Sequence, residues 1–236
     1  MDLSLSEEQL MIQKAAREFA QQQCLPGVIE RDEKQMVPKE QLLQLAELGL
    51  MGMMTSPEYG GAGMDTISYV LAMEEISKVD SSVSVAMSVN NSLVCWGLEH
   101  YANEEQKQQY LVPLAQGKKD GQLYIGAFLL SEPEAGSDAT HQHTEAKDMG
   151  DHYVINGIKN WITNGSTASV YLVIAQTDYT KGHKGINAFI VEKAWAGFDI
   201  GPKEKKMGIR GSDTHSLMFT DVKVPKENRI GADGFG

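Results

Sequence analysis

The chain has 236 residues, of which 42% are hydrophobic and 22% are charged, and its formal net charge at pH 7 is -11. This length allows two domains with separate cores, and the acidic balance argues against nucleic acid or an anionic membrane as the main partner. The sequence has no apolar window long enough to cross a bilayer, and its acidic start lacks the apolar segment of a secretory signal, so we expect a cytoplasmic protein.

The first half of the chain has the apolar spacing of helices. Helix-start signals occur at Ser6, Pro38, Asp65 and Asn103. The more apolar segment from Val83 to Leu98 predicts a buried helix. These patterns predict an N-terminal all-α domain over residues 1–119.

The pattern changes near Gly121, where short runs rich in β-branched and aromatic residues begin. These runs are Leu123–Leu130, Tyr153–Ile162, Val170–Gln176, Ile186–Val191 and Ser216–Val224. Strands that follow one another without long helices between them indicate an antiparallel barrel or sandwich, and Asn156-Gly157 is a hairpin signal. We therefore predict a β-domain over residues 120–236, packed against the helical domain in an α+β fold.

Several kinds of site are not expected. Cys24 and Cys95 lie in apolar helical patterns, which favours two buried free thiols over a disulfide. His141 and His143 share a face if their segment is a strand, but no third ligand has suitable spacing, so we predict no metal site. The chain also lacks the glycine-rich fingerprint of a Rossmann nucleotide site.

Two segments carry a functional signal. Residues 128–138 read Phe-Leu-Leu-Ser-Glu-Pro-Glu-Ala-Gly-Ser-Asp, and residues 159–165 read Lys-Asn-Trp-Ile-Thr-Asn-Gly. Either one alone is weak evidence. Taken alone, the first is better explained as a strand followed by a turn, and the second is explained by an aromatic residue in the β-core with a hydroxyl at a strand end. Together, in this order and spacing, they are typical of strand ends that present backbone amides and hydroxyl oxygens to a polar, planar ligand.

These two segments resemble the flavin-binding segments of the acyl-CoA dehydrogenases. Further matches to that family are Pro57–Gly63, Met207–Thr214 and Phe219–Pro225. Residues Met87–Leu93 resemble the short-chain, butyryl-type members in particular, and would help to wall an acyl pocket. The resemblance extends from Leu5 to Gly236.

The resemblance implies bound FAD and α,β-dehydrogenation of a short-chain fatty acyl-CoA to the trans-2-enoyl-CoA, as in β-oxidation, with a short branched-chain acyl-CoA as the alternative substrate. It also implies electron-transfer flavoprotein as electron acceptor and a homotetrameric assembly. The family's catalytic base is a glutamate in a C-terminal helical domain, which we expect beyond Gly236. We therefore nominate no base here and expect the chain alone to be inactive; a non-enzymatic or partner-dependent protein is the alternative.

The resemblance also implies individual site residues. FAD contacts are expected from Phe128, Leu130, Ser131, Gly136, Ser137, Trp161, Ile162 and Thr163. Ser131 would lie near the pyrimidine edge of the flavin, Trp161 would pack against the ring, and Thr163 would bond near the N5 atom. Ser137 would also reach the acyl-CoA.

Overall fold

The computed structural model describes residues 4–232 and residue 234, and the first half of this chain is helical. The helices are α1 (Glu7–Phe19), α2 (Val28–Glu33), α3 (Lys39–Glu47), α4 (Thr66–Ser77), α5 (Ser81–Ser88), α6 (Trp96–Tyr101), α7 (Glu104–Gln106) and α8 (Val112–Gln116). Wider π-helical turns extend α1 and join α5 to α6 and α7 to α8, at Ala20–Cys24, Val89–Cys95 and Lys107–Leu111. Short 3-10 turns occur at Leu50–Gly52, Pro57–Tyr59, Tyr179–Gly185 and Lys226–Asn228.

Three of the predicted helix starts carry side-chain caps. Ser6 Oγ accepts a bond from the Gln9 amide, and the Ser6 amide donates to Oε1 of Gln9, which is the predicted capping box. Asp65 caps α4, and Asn103 forms a second capping box at α7. Pro38 precedes α3 directly instead of occupying its first position.

The second half of the chain is a β-domain. Its strands are β1 (Lys118–Lys119), β2 (Gln122–Leu123), β3 (Gly126–Leu129), β4 (Glu145–Asp148), β5 (His152–Thr163), β6 (Val170–Gln176), β7 (Ile186–Glu192), β8 (Phe198–Lys203), β9 (Thr214–Pro225) and β10 (Arg229–Ile230). Strands β1 and β2 form a small hairpin, and the main sheet has the order β10-β7-β6-β4-β5-β9-β8 with β3 beside β6. The α+β prediction is confirmed.

The sheet is mostly antiparallel, but β3 pairs with β6 in parallel, and a single residue pair of β4 does the same. The predicted antiparallel pairing therefore holds for most of the sheet but not for these two pairs of strands. More than forty residues separate the starts of β3 and β6, and this connection contains β4 and β5, so the chain can return to the same end of the sheet.

The hairpin predicted at Asn156-Gly157 is also wrong, because both residues lie inside the long strand β5. The register between β5 and β9 shifts there, so that Asn156 faces two residues of β9. One of those two, Asp221, has a left-handed backbone with φ of 51°, and the Asn156 side chain bonds to both its amide and its carboxylate. The Asn156 side chain, which suggested a turn in the sequence, therefore stabilises a β-bulge in the partner strand β9.

The two halves pack against each other, as predicted. Leu98 and Leu111 of the helical half pack in one cluster with Leu172 and Ile190 of the sheet. Polar contacts add to this interface: the Arg210 guanidinium lies 2.6–2.8 Å from the Asp32 carboxylate, and Lys203 bonds to the Gln35 carbonyl oxygen. Cys24 and Cys95 are buried free thiols, as expected.

The boundary between residues 119 and 120 stays a prediction, because the β1–β2 hairpin spans it. Residues 1–3 of the first predicted domain, and residues 233, 235 and 236 of the second, lie outside the described residues. Within the described chain, none of the helices has the length and apolar character needed to cross a bilayer.

Gly157 generates a prediction about stability. Its φ is 149°, and a Cβ added there would lie 2.6 Å from Thr144 Oγ1 and 2.7 Å from Thr144 Cα. We expect Gly157→Ala to lower the free energy of unfolding by about 2–4 kcal/mol, since it combines backbone strain with overpacking. Urea denaturation measures the loss.

Gly150 is the matched control. Its φ is 97°, but an added Cβ would meet nothing within 4 Å, so Gly150→Ala carries the backbone cost alone. We expect a loss of about 1 kcal/mol for this variant. Equal losses at the two glycines would show that the contact with Thr144 is unimportant.

Candidate functional site

The first predicted segment leaves the sheet at the end of β3. Ala127 and Leu129 are buried in the sheet core, while Phe128 points to the other face, against the helical half. Leu130 and Ser131 are half-buried where the strand ends. A tight turn follows, closed by paired backbone bonds between Glu132 and Ala135, which are 3.0 and 3.3 Å long.

The turn leaves Gly136 and Ser137 exposed to solvent. The structure therefore places the eleven-residue segment so that its start is anchored in the core and its small, polar end is open. Such an arrangement can offer backbone amides and a hydroxyl to a ligand without moving the sheet.

The second predicted segment lies at the end of β5, where that strand has its own β-bulge. Between Lys159 and Ile162, two residues of β5 face one residue of β9. Trp161 occupies this bulge with φ of 61°, and its residue surface is 61% exposed. A left-handed backbone costs a non-glycine residue about 1–2 kcal/mol, and strain of this kind is often found at functional sites.

The residues next to Trp161 are held differently. Ile162 is buried in the sheet core, so only its backbone can face a ligand. Thr163 is half-buried and pairs with Thr214 of β9. The bulge thus turns a large aromatic side chain outward between two ordinary strand positions.

A direct bond joins the two segments. The amide of Asn160 donates to the carbonyl oxygen of Ser131 over 2.8 Å. Ser131 and Trp161 are therefore placed near one another by main-chain geometry. The structure thus brings together the two strand ends that we predicted from the sequence to form one ligand site.

Beneath this junction lies a buried ion pair. Lys159 is fully buried, and its ammonium group lies 2.7 Å from Oε1 of the buried Glu132. Glu132 lies in the middle of the first segment, yet its carboxylate is fully engaged inside the protein. It is therefore unsuited to remove a proton from a substrate.

Asn164 extends the junction to the helical half. It has a left-handed backbone with φ of 63°, and its side-chain amide donates to the carbonyl oxygens of Gly126 and Ala86 over 3.0 and 3.3 Å. One residue thus joins the end of β5 to β3 and α5. The sequence pattern around Asn164 did not predict this role for its side chain.

Asp213 fixes the loop that follows Thr163. Its buried carboxylate accepts bonds from the amides and hydroxyls of Ser166 and Thr167 over 2.6–3.0 Å. Nε2 of His215 lies 2.7 Å from the same carboxylate. Burial opposes ionisation of Asp213, but these hydrogen bonds and the nearby His215 outweigh it and hold the pKa of Asp213 below its ordinary value.

An apolar groove of about 300 Å³ opens beside the first segment. It is lined by Leu93 and Trp96 of the helical half and by Phe128, Leu172 and Ile174 of the sheet. The predicted acyl-pocket wall at Met87–Leu93 reaches this groove only at its end. Met87 is buried in the helical core, while the side chains of Asn90 and Asn91 bond to backbone groups.

The two histidines near the first segment have separate partners. His141 lies 2.5 Å from the Asp138 carboxylate, which raises the pKa of His141, and both side chains are exposed. His143 lies 3.6 Å from Glu134. Among residues 4–232 and 234, no three His, Cys, Asp or Glu residues are grouped as a metal site would require.

Two family models match this sequence. The model described as "Acyl-CoA dehydrogenase, N-terminal domain" matches residues 6–118, and the model described as "Acyl-CoA dehydrogenase, middle domain" matches residues 127–222. The chain is 48% identical, over its whole length, to the short-chain specific acyl-CoA dehydrogenase of Clostridium acetobutylicum. It spans 61% of the length of that curated relative.

Solved structures agree with these matches. Butyryl-CoA dehydrogenase from Megasphaera elsdenii superimposes with a TM-score of 0.94 at 43% identity, covering all of this chain and 61% of that one. A glutaryl-CoA dehydrogenase from Mycobacterium smegmatis, solved in complex with FADH2, gives a TM-score of 0.89 at 34% identity, covering 98% of this chain and 57% of that one. The sequence and the fold together show that this chain belongs to the acyl-CoA dehydrogenase family.

Proposed function

We propose that this chain binds FAD at the junction of its two segments and serves the α,β-dehydrogenation of a short-chain acyl-CoA thioester. The observation that carries the proposal is the bond between the Asn160 amide and the Ser131 carbonyl. It brings an exposed indole, two half-buried hydroxyls and an open turn to one edge of the β-domain. The family membership and the FADH2 complex of a relative support the same cofactor.

The residues at this edge fit a flavin chemically. A flavin needs an apolar surface for its ring and a few donors for its polar edge. The exposed side of Trp161 would pack against the ring, the Thr163 hydroxyl would donate near N5, and Ser131 would face the pyrimidine edge. Ser137 would contact both the cofactor and the acyl-CoA.

The other predicted FAD contacts are of two kinds, made either by the backbone or by a side chain. The backbone of Leu130, Gly136 and Ile162 would approach the cofactor, because the Ile162 side chain is buried and glycine has none. Phe128 would contribute from the side that faces the groove.

The bound flavin would supply the hydride acceptor. The chain's own residues would bind and orient that acceptor and exclude water on the protein side. Removal of the substrate's α-proton is assigned to no described residue, since Glu132 is held by Lys159 and Glu134 is exposed.

The substrate class comes from the relatives and from the groove. The C. acetobutylicum relative is short-chain specific, and the M. elsdenii relative is a butyryl-CoA dehydrogenase. A groove of about 300 Å³, with mostly apolar walls, has room for a short acyl chain. A short branched chain is the alternative substrate, and the electron-transfer flavoprotein, the tetramer and the cytoplasmic location stay predictions.

FAD binding is the first test. We expect added FAD to bind the purified chain, to shift the flavin absorbance bands and to quench tryptophan fluorescence, because Trp161 would lie against the ring. Trp161→Leu should remove most of the quenching. Trp195→Phe is the control, since Trp195 packs against the sheet core, and this variant should retain the quenching.

Butyryl-CoA added without oxygen then tests the chemistry. Bound FAD that keeps its absorbance would agree with the absence of an assigned base, whereas bleaching would show that this chain contains one. If the unaltered chain bound no FAD, the proposed cofactor site would be wrong for this chain, and the non-enzymatic or partner-dependent alternative would be favoured.

Thr163→Val tests the proposed donor to the flavin. Valine has nearly the same shape but cannot donate, so we expect FAD affinity to fall about fivefold, as for the loss of one hydrogen bond. Titration followed by flavin fluorescence measures this change. Thr220→Val, at an exposed position of β9, should leave the affinity unchanged; equal losses for the two variants would contradict the assignment.

A further inference from the structure

We propose that Lys159 and Glu132 form a positioning pair, which fixes the first flavin-binding segment against the second before any cofactor binds. This inference rests on the proposed FAD site, because its purpose is to align that site. Neither residue is exposed to a ligand, so the pair would act through Ser131 and Trp161.

The geometry of the ammonium group is the first support. Its three protons have three acceptors: Oε1 of Glu132 at 2.7 Å, the Leu130 carbonyl oxygen at 3.0 Å and Oε1 of Gln142 at 3.1 Å. Leu130 and Glu132 flank Ser131 on either side. The Lys159 ammonium group therefore bonds to the backbone of the residue before Ser131 and to the side chain of the residue after it.

The neighbouring residue of β5 completes this arrangement. The Asn160 amide bonds to the carbonyl oxygen of Ser131 itself, so adjacent positions of β5 hold residues 130, 131 and 132. The next residue is Trp161. Any movement of the first segment relative to β5 would break at least one of these bonds.

Glu132 ties in a third segment. Its carboxylate accepts bonds from the amides of His143 and Thr144 over 2.5 and 3.0 Å. These amides lie just before β4. The turn at residues 132–135, the approach to β4 and the end of β5 thus meet at one buried carboxylate.

Both members are charged near neutral pH. Burial lowers the pKa of Lys159 to about 8, against the opposing effect of Glu132. Burial would raise the pKa of Glu132, but the bonds from Lys159, Thr144 and His143 outweigh it and hold the pKa below its ordinary value.

A buried ion pair is a poor source of stability, because desolvation offsets most of the attraction, and apolar replacements are often as stable. Its contribution is geometric: each charge tolerates only a narrow arrangement of acceptors and donors. In this protein, the groups so arranged belong to the two segments proposed to bind the flavin.

The test separates position from stability with a pair of variants. Lys159→Met leaves the Glu132 charge buried without its partner, so we expect the Tm to fall by about 10 °C. Lys159→Met/Glu132→Gln removes both charges and keeps an oxygen acceptor for one of the two amides, which bond to different oxygens of Glu132. We expect this double variant to regain most of the Tm.

Two readouts then report on position. The first is hydrogen exchange of the Asn160 amide, which needs no cofactor; we expect it to lose protection in both variants. The second is the Kd for FAD, which we expect to rise at least tenfold in the double variant despite its recovered Tm. A merely structural pair would show both properties recovering together with the Tm.

Arg17→Met/Glu75→Gln is the matched control, because Glu75 is another buried carboxylate paired with a cation, within the helical half. It should leave the Asn160 amide and the Kd for FAD unchanged.

The outcomes are distinguishable. Retained protection at Asn160, or an unchanged Kd for FAD, in the double variant would overturn the positioning role. If the unaltered chain bound no FAD, the proposed function would fail, while exchange at Asn160 would still decide whether the pair aligns the two segments. If Lys159→Met did not fold, the double variant and its control would carry the test.

Discussion

The ammonium group of Lys159 lies out of contact with water and needs three acceptors, and this requirement shapes the part of the β-domain around it. Those acceptors lie just after β3 and just before β4. A lysine of β5 therefore fixes both ends of the segment that connects these two strands. The parallel pairing of β3 with β6 sets where this excursion begins. The open turn at Gly136 and the outward Trp161 both lie close in sequence to the residues that the pair holds.

Much of the architecture follows from the sequence because its signals are local. Capping residues such as Ser6 and Asp65 satisfy amides within their own first turn, so no distant partner is needed to recognise them. The run Val170–Gln176 is buried along its whole length and was predicted with the observed bounds. In contrast, β4 and β8 were not predicted: β4 is mostly polar, and β8 contains a glycine and a proline, so their strand character depends on the neighbours that supply hydrogen bonds.

The candidate site divides in the same way. The two segments could be recognised as patterns, and the family resemblance added roles for Trp161 and Thr163, which stay predictions. The support beneath them was not foreseen. Inward-facing residues alternate along β5 from Tyr153 through Ile155, and this alternation does predict that position 159 is buried. A lysine at a buried position contradicts the usual pattern, however, unless its three acceptors are known. Asn164 and Asp213 act across large separations in sequence, and no local pattern marks them.

The two bulges of the β5–β9 ladder have a further consequence, because they lie on opposite strands. At Asp221 the extra residue belongs to β9, and at Trp161 it belongs to β5. The first displaces the pairing by one position and the second restores it, so only the stretch around Gly157–Lys159 is offset. The lengths of the two strands are therefore coupled. Deleting one residue from either bulge alone would shift the register at one end of the ladder by one residue, and the side chains that point inward there would then point to solvent. Simultaneous deletion of both would return the ladder to a plain register, but without the outward tryptophan. Insertions and deletions in this part of the family are thus expected to occur as matched pairs, or at the strand ends, where no pairing follows.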